Sequence, residues 1–441
     1  RAAFKSDGSE VHEDVSAGSA EGAAAADGGD EVRTDGGGNV VMRDDSPPVI
    51  PNNPGVVKPF EILTQAVSRP KYDEFDPTVV LFLTFPAFFG FMIGDLGYGA
   101  LYTLIGYYLY SNFDSDAFKS MGGVTIFAGL FTMLFGILYG EIFGLHLIAT
   151  YVWEGALGLA HPPMEKGLSP AGQSYALTWL VVSILVGILH LNVGYVFDFV
   201  ENLELHDAKH ALFESGSWIL MLNGLWIAIL SPDLVGATPD FVFTIFDGSG
   251  AAPEGAEAIH ATYALGFNGF PEIVGLLALG SFFLGLILLI VGEPVEAIEF
   301  LNVLVNALSY TRIAAVLLAK AGMAFTVNLL FFGVYVDSKG GWHFGLGGMP
   351  AIPAGSESVM YHGYEVTEVM FGGLVHSGPA LLIVGLLVLV IGHALVLALG
   401  VTSAGLQAVR LEYVEFFGKF YDGGGKEDEP FGYERRYTTE D

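Results

Sequence analysis

The sequence predicts an all-α polytopic membrane protein: eight transmembrane helices, the last two long and strongly tilted, behind a disordered acidic N-terminal segment. Three observations carry that expectation. The 441 residues are 52% hydrophobic with a mean hydropathy of +0.53, yet the net charge is −30. These values coexist because the charges are segregated into tails and loops, leaving long stretches nearly uncharged. The apolar stretches number eight, and the final two exceed the ~20 residues that span a bilayer upright.

Residues 1–50 are low-complexity and acidic ("GSAEGAAAADGGDEVRTDGGG"). They hold too little apolar surface to offset chain entropy, so disorder is expected there. No apolar signal segment lies in them. The first residue is Arg rather than Met, which reads as a fragment or a processed product. A Pro-rich lead-in, 51–76, ends at Asp76-Pro77, a pair suited to start a helix. The membrane domain is expected over 77–421 and a polar tail over 422–441. The apolar segments run 78–93, 96–110, 122–143, 175–199, 215–230, 271–291, 294–336 and 374–421. The first two share "GDLGYG" as a tight connection. The last two must tilt, kink or project into water.

The few cations orient the domain. With both termini inside, Arg69, Lys71, Lys119, Lys209, Lys419, Lys426, Arg435 and Arg436 are cytoplasmic, and only Lys166 and Lys339 lie outside. The outer loops 145–172, 231–270 and 337–370 are long and rich in Gly and Pro. So acidic a surface disfavours nucleic acid as a partner. An acidic excess also resembles adaptation to high salt. The lack of cysteine excludes disulfides and thiolate chemistry. Metal-ligand spacings, a nucleophile elbow and a phosphate loop are missing: "DGGGKE" lacks the required glycine and Ser/Thr. No cofactor or nucleotide is expected.

Two intramembrane arginines are the strongest functional candidates. An arginine at mid-bilayer stays charged and is costly to place. Arg312 flanks a polar stripe that a helix turning ~100° per residue forms from Glu299, Asn302, Asn306, Ser309 and Lys320. For the Asn and Ser residues the simpler reading is helix packing. Arg410 shares a face with Ser403 and Gln407, with His393 further up. Snorkelling to the interface is its alternative reading. Asp95, Glu141, Glu293, Glu296 and Glu299 are acids near or within apolar segments, and such groups can relay protons. His190 reads equally as a core histidine or a relay. The stretch from Asp198 onward reads as a solvated loop, and Glu415 with Lys419 as a solvated i,i+4 pair.

Three stretches carry a family resemblance: "PKYDEFDPTVVLFLTFPAFFGFMIGDLGYG" (70–99), "EAIEFLNVLVNALSYTRIAAVLLA" (296–319) and "HALVLALGVTSAGLQAVRLEYVEFFGKFYDGGGKEDEPF" (393–431). Over roughly 51–431 the chain resembles the membrane half of the large stator subunit of rotary V/A-type ATPases. That subunit is called subunit a in V-type and subunit I in archaeal A-type enzymes, and the acidic composition points to an archaeal, salt-adapted member. The resemblance implies a subunit that hydrolyses no ATP. Its last two helices pack against a proteolipid ring and carry one ion half-channel open to each side. It implies further partners in the peripheral stalk and in the subunit that caps the central stalk. The family's indispensable arginine, in "SYxR", falls on Arg312, and its second on Arg410. A fixed cation there tolerates the ionised ring carboxylate and blocks a direct leak. Eukaryotic relatives carry His in place of Lys320 and of Gln407 and an acid near Gly400, which leaves the outer path to His393 or His376. Two rival readings are a stalk anchor that moves nothing and an unrelated transporter. The latter calls for repeats with a pair of broken helices, which the sequence does not display.

Overall fold

The computed structural model describes residues 47–428, apart from 73, 160, 169–172, 237, 248–262, 264 and 354–355, and the backbone of 32–34 and 40–42. Those two short stretches, β1 (Val32–Thr34) and β2 (Val40–Met42), pair antiparallel. The remainder of the acidic segment and the tail beyond 428 lie outside the described residues.

A two-turn helix, α1 (Glu61–Val67), precedes α2 (Thr78–Ile93). As the sequence suggests, Asp76 starts α2: its Oδ1 accepts from the Thr78 amide at 2.9 Å. Gly94 ends α2 in the left-handed region, φ 45°. Asp95 then caps α3 (Leu96–Asn112) by accepting from the Tyr98 amide. The chain returns through α4 (Asp116–Tyr139). Glycines let these helices touch backbone to backbone. Gly122, Gly129 and Gly136 recur every seventh residue on α4, facing Gly99, Gly106 and the start of α3. A Cβ at any of the three would meet main-chain atoms of α3 or its cap.

Next come α5 (Gln173–Leu205), α6 (Ala208–Ala211), α7 (Ser217–Ile229), α8 (Phe241–Thr244) and α9 (Glu272–Gly292). Asp198 lies inside α5, so the stretch expected as a solvated loop is helix to Leu205. The seventh apolar segment is not one rod. It divides into α10 (Asn302–Ser309) and α11 (Thr311–Phe332), with Tyr310 as a turn between them. The eighth is α12 (Pro379–Arg410), continued by a π-helical turn over Leu411–Phe416 and a 3-10 turn over Phe417–Lys419.

Six described helical stretches are long and apolar enough to cross a membrane, beginning with α4; α2, at 16 residues, is a shorter apolar helix. Only 11% of the most apolar part of the α12 stretch is buried, against 28–44% in the other five.

The fold is mostly helical but not all-α. Between α11 and α12 stand β3 (Val334–Asp337), β4 (Trp342–Phe344), β5 (Val359–Tyr361) and β6 (Tyr364–Phe371), an antiparallel sheet in the order β4-β3-β6-β5. The loop expected over 337–370 is therefore structured. His362 and Gly363, both at positive φ, make the two-residue turn joining β5 to β6.

Candidate functional site

Two polar clusters, the first half-buried and the second buried, include residues of α11 eight positions apart, Arg312 and Lys320. The first surrounds the α10–α11 break. Arg312, one residue into α11, places Nη1 3.4 Å from Glu415 Oε1. Glu415 belongs to the π turn and is 4% exposed, so it is not the solvated partner of Lys419 that i,i+4 spacing suggests. With its amide turned so that nitrogen faces carboxylate, Asn306 donates to Glu415 Oε2 at 3.1 Å and accepts from Lys419 Nζ at 2.6 Å. The four side chains thus alternate in charge and polarity, each satisfying the next.

This cluster adjoins a cavity of about 550 Å³. Asn302 and Lys419 line it, with Glu74, Asp198, Glu201, Glu214, Glu296, Glu299 and Asp422 around its walls. Seven carboxyls against Lys71 and Lys419 make it strongly acidic, a field that concentrates cations. Glu296 accepts from the Trp218 indole at 3.4 Å, and Glu299 from Asn302 at 2.8 Å.

Behind the break, Tyr310 is fully buried and its hydroxyl lies 2.7 Å from His190 Nδ1. His190 Nε2 faces Glu412 Oε2 at 3.7 Å.

The second cluster gathers where α2 meets α3 and α4 ends. Lys166 is buried there. It donates to Glu141 Oε2 at 2.6 Å and to the Gly94 carbonyl at 2.8 Å, serving the open C-terminus of α2. Glu141 Oε1 lies 3.5 Å from His146, whose side chain is 54% exposed. Asp95, fully buried, accepts from the amides of Tyr98, Phe143 and Gly144. Lys320 Nζ stands 3.6 Å from Asp95 Oδ2 and 4.3 Å from the centre of the Tyr98 ring. The Tyr98 hydroxyl reaches His393 Nδ1 at 2.5 Å, and His393 Nε2 reaches Asn328 Oδ1 at 3.2 Å. Among the described residues no group of His, Asp and Glu is placed to hold a metal ion.

A family profile described as "V-type ATPase 116kDa subunit family" matches residues 24–155. The chain is 50% identical over 430 residues to the A-type ATP synthase subunit I of Halobacterium salinarum, covering 94% of this chain and 56% of that protein. The chain belongs to the V/A-type ATPase subunit a/I family. It is also 29% identical over 433 residues to subunit I of Archaeoglobus fulgidus (91% and 56% covered) and 29% over 405 residues to that of Pyrococcus horikoshii (89% and 49%). The chain spans about half the length of these curated relatives. Membership and the apolar helices together make it a multi-pass membrane protein.

The stripe expected from Asn302 to Lys320 is split in this a/I-family chain. Asn302, Asn306 and Arg312 belong to the first cluster; Lys320 joins the second, with Glu141 and His393. Ser309 donates to the Val305 carbonyl and enters neither. Arg410 is exposed and makes no ion pair with a described residue. Ser403 and Gln407 are half-buried, and Gln407 Oε1 is enclosed without a hydrogen-bond partner among the described residues. His376 is tied to the Gly345 carbonyl at 2.8 Å, away from both clusters.

Sequence reasoning missed Glu412, the true partner of Glu415, and the burial of Lys166, which lies in the irregular stretch between α4 and α5. Glu412 and Glu415 do carry a signal: they are three residues apart, the spacing that returns to one helical face.

Proposed function

We propose that this chain is the membrane part of the stator subunit of an archaeal A-type ATP synthase, carrying protons between two half-channels against a rotating proteolipid ring. The observation that carries the reading is the acidic cavity ending at the Lys419–Asn306–Glu415–Arg312 cluster. It supplies a wet, cation-attracting approach to a fixed guanidinium. In this reading the chain spans the membrane eight times with both termini cytoplasmic, α2 and α3 crossing as short helices, the second glycine-packed on α4. The cavity opens to the cytoplasm. The path from the other side runs from His146 past Glu141 and Lys166 to Asp95, Lys320 and His393. The sparsely covered face of α12 is where the ring packs, with Arg410 as a second cation beside it.

The chemistry asked of Arg312 is electrostatic. A ring carboxylate arriving protonated from lipid meets a permanent cation, and its ionised form is stabilised there. Its proton leaves to the half-channel, and the same cation repels a proton moving directly to the other half. Glu415 holds the guanidinium between visits, and Asn306 keeps Glu415 in place. The peripheral stalk and the central-stalk cap are further partners under this proposal.

The test is Arg312→Ala in the full-length subunit, assembled in the complete complex and reconstituted in vesicles. ATP-driven proton pumping is expected to fall by at least about 100-fold, as for loss of a preorganised charge, with the complex still assembled. Pumping within about twofold of wild type, less than 0.5 kcal/mol of barrier, would refute the proposal and favour a passive anchor.

A further inference from the structure

We propose that Tyr310, His190 and Glu412 form a positioning unit that holds the helix break ahead of Arg312 and so sets where its guanidinium points. The inference rests on the stator reading above and adds three residues to it.

Three elements converge on the break. Tyr310 is the single turn residue between α10 and α11, and its position decides how α11 departs. Its hydroxyl is bonded to His190 of α5. On the same helix Gly187 lies flat against the Tyr310 ring, where any side chain would collide with it. The π turn after α12 supplies the third member. Phe416 stacks on the His190 imidazole, centroids 4.1 Å apart at 14°. Glu412 faces the free nitrogen of that ring.

Glu412 is the unexpected group. It is 0% exposed, and neither oxygen has a hydrogen-bond partner among the described residues; nor has His190 Nε2. The neighbouring Thr84 hydroxyl has its one proton committed to the Val80 carbonyl. A buried carboxyl so placed is costly, and its only polar neighbour on His190 is Nε2. At 3.7 Å the two are wider apart than a hydrogen bond, so Glu412 acts on the imidazole electrostatically, favouring the orientation in which Nε2 faces the carboxyl and Nδ1 faces Tyr310. Glu415, three residues on, meets Arg312 directly. One turn therefore grips Arg312 twice, by its charge and by the backbone just before it.

The test uses Tyr310→Phe, which keeps the buried ring and deletes only the hydroxyl, and Glu412→Leu, which replaces an uncompensated buried carboxyl by an apolar group of similar volume and so spares folding. Each is made in the full-length subunit of the complete complex. Pumping is divided by the amount of assembled complex, so a merely structural role would lower assembly and leave the quotient unmoved. Each variant is expected to lower pumping per complex about tenfold, the scale of an ångström-level misplacement of a charge. The double variant should be no worse than the worse single. If Tyr310→Phe does not assemble, Glu412→Leu decides alone. A quotient within about twofold of wild type, in a background where Arg312→Ala abolishes pumping, would overturn the positioning unit and leave the stator reading standing. Survival of pumping in Arg312→Ala would overturn both.

Discussion

Lys320 shows how a cation survives inside an apolar bundle. It is 2% exposed, and its support is one carboxylate and one aromatic face. Asp95 is better provided, with three backbone amides besides the lysine. The two halves of the pair should therefore respond unequally. Asp95→Asn strands the ammonium and removes the second oxygen, which accepts from Gly144, while its amide oxygen can still cap α3; the loss is roughly 3–5 kcal/mol. Lys320→Met leaves Asp95 bonded and should cost less. The double variant Asp95→Asn/Lys320→Met should recover part of the loss, which thermal unfolding of the detergent-solubilised subunit would resolve. A double variant as weak as Asp95→Asn alone would show that the lysine is not the stranded partner. At the sheet, Asp337 is a second acid with a defined setting. Burial pushes its carboxyl up, but hydrogen bonds from His343 and the Gly341 and Lys339 amides outweigh this and hold it below the usual range. A lowered folded value means the contribution is present above the unfolded pKa of ~3.9 and is lost as pH falls through the folded one. Amide exchange at Lys339 and Gly341 should accelerate below about pH 4 and be fast at all pH values in Asp337→Ala.

At the scale of elements, α3 and α4 depend on small residues. Gly136 sits against the backbone of Asp95 and Leu96, so Gly136→Leu must separate the helices. Overpacking of this kind costs about 1–3 kcal/mol or more, visible as a lower unfolding temperature; an unchanged midpoint would mean the helices can part freely. Helices were the legible part of the sequence, because uncharged runs of this length have few other ways to satisfy their backbone. Asp95 and Gly94 also announce the α2–α3 turn by type alone. The sheet was hidden, since "YHGY" resembles any Gly-containing loop until its two positive-φ residues are seen. So was the break at Tyr310, which contains neither Pro nor Gly and is held by tertiary contacts rather than by local preference. The partner of Arg312 was hidden for a different reason. Helical spacing ranks neighbours on one helix, whereas Glu415 arrives from 103 residues away.

Taken whole, the molecule is lopsided. Most helices bury a third or more of their apolar length, while α12 leaves large residues such as Leu387, Leu395 and Leu399 more than half exposed. If that face meets a ring, single cysteines there should cross-link to ring subunits in native membranes, and cysteines at Leu277 or Ile287 of α9 should not. Equal labelling of both helices by lipid-phase reagents, with no cross-link, would count against a ring on α12. This sequence contains no cysteine, so each substitution introduces the chain's sole thiol.

The π turn over Leu411–Phe416 bears on how such a chain can change over time. A π turn is an α-helix carrying one extra residue. Removing one residue between Tyr413 and Phe416 can be absorbed by relaxation of the turn to α geometry, whereas removing one from the regular part of α12 would rotate everything after it by ~100°. Phe420 and Tyr421 would then leave their places in the core. The π turn is thus the place along this helix where loss of one residue can be absorbed, and the regular α-helical residues before it are not.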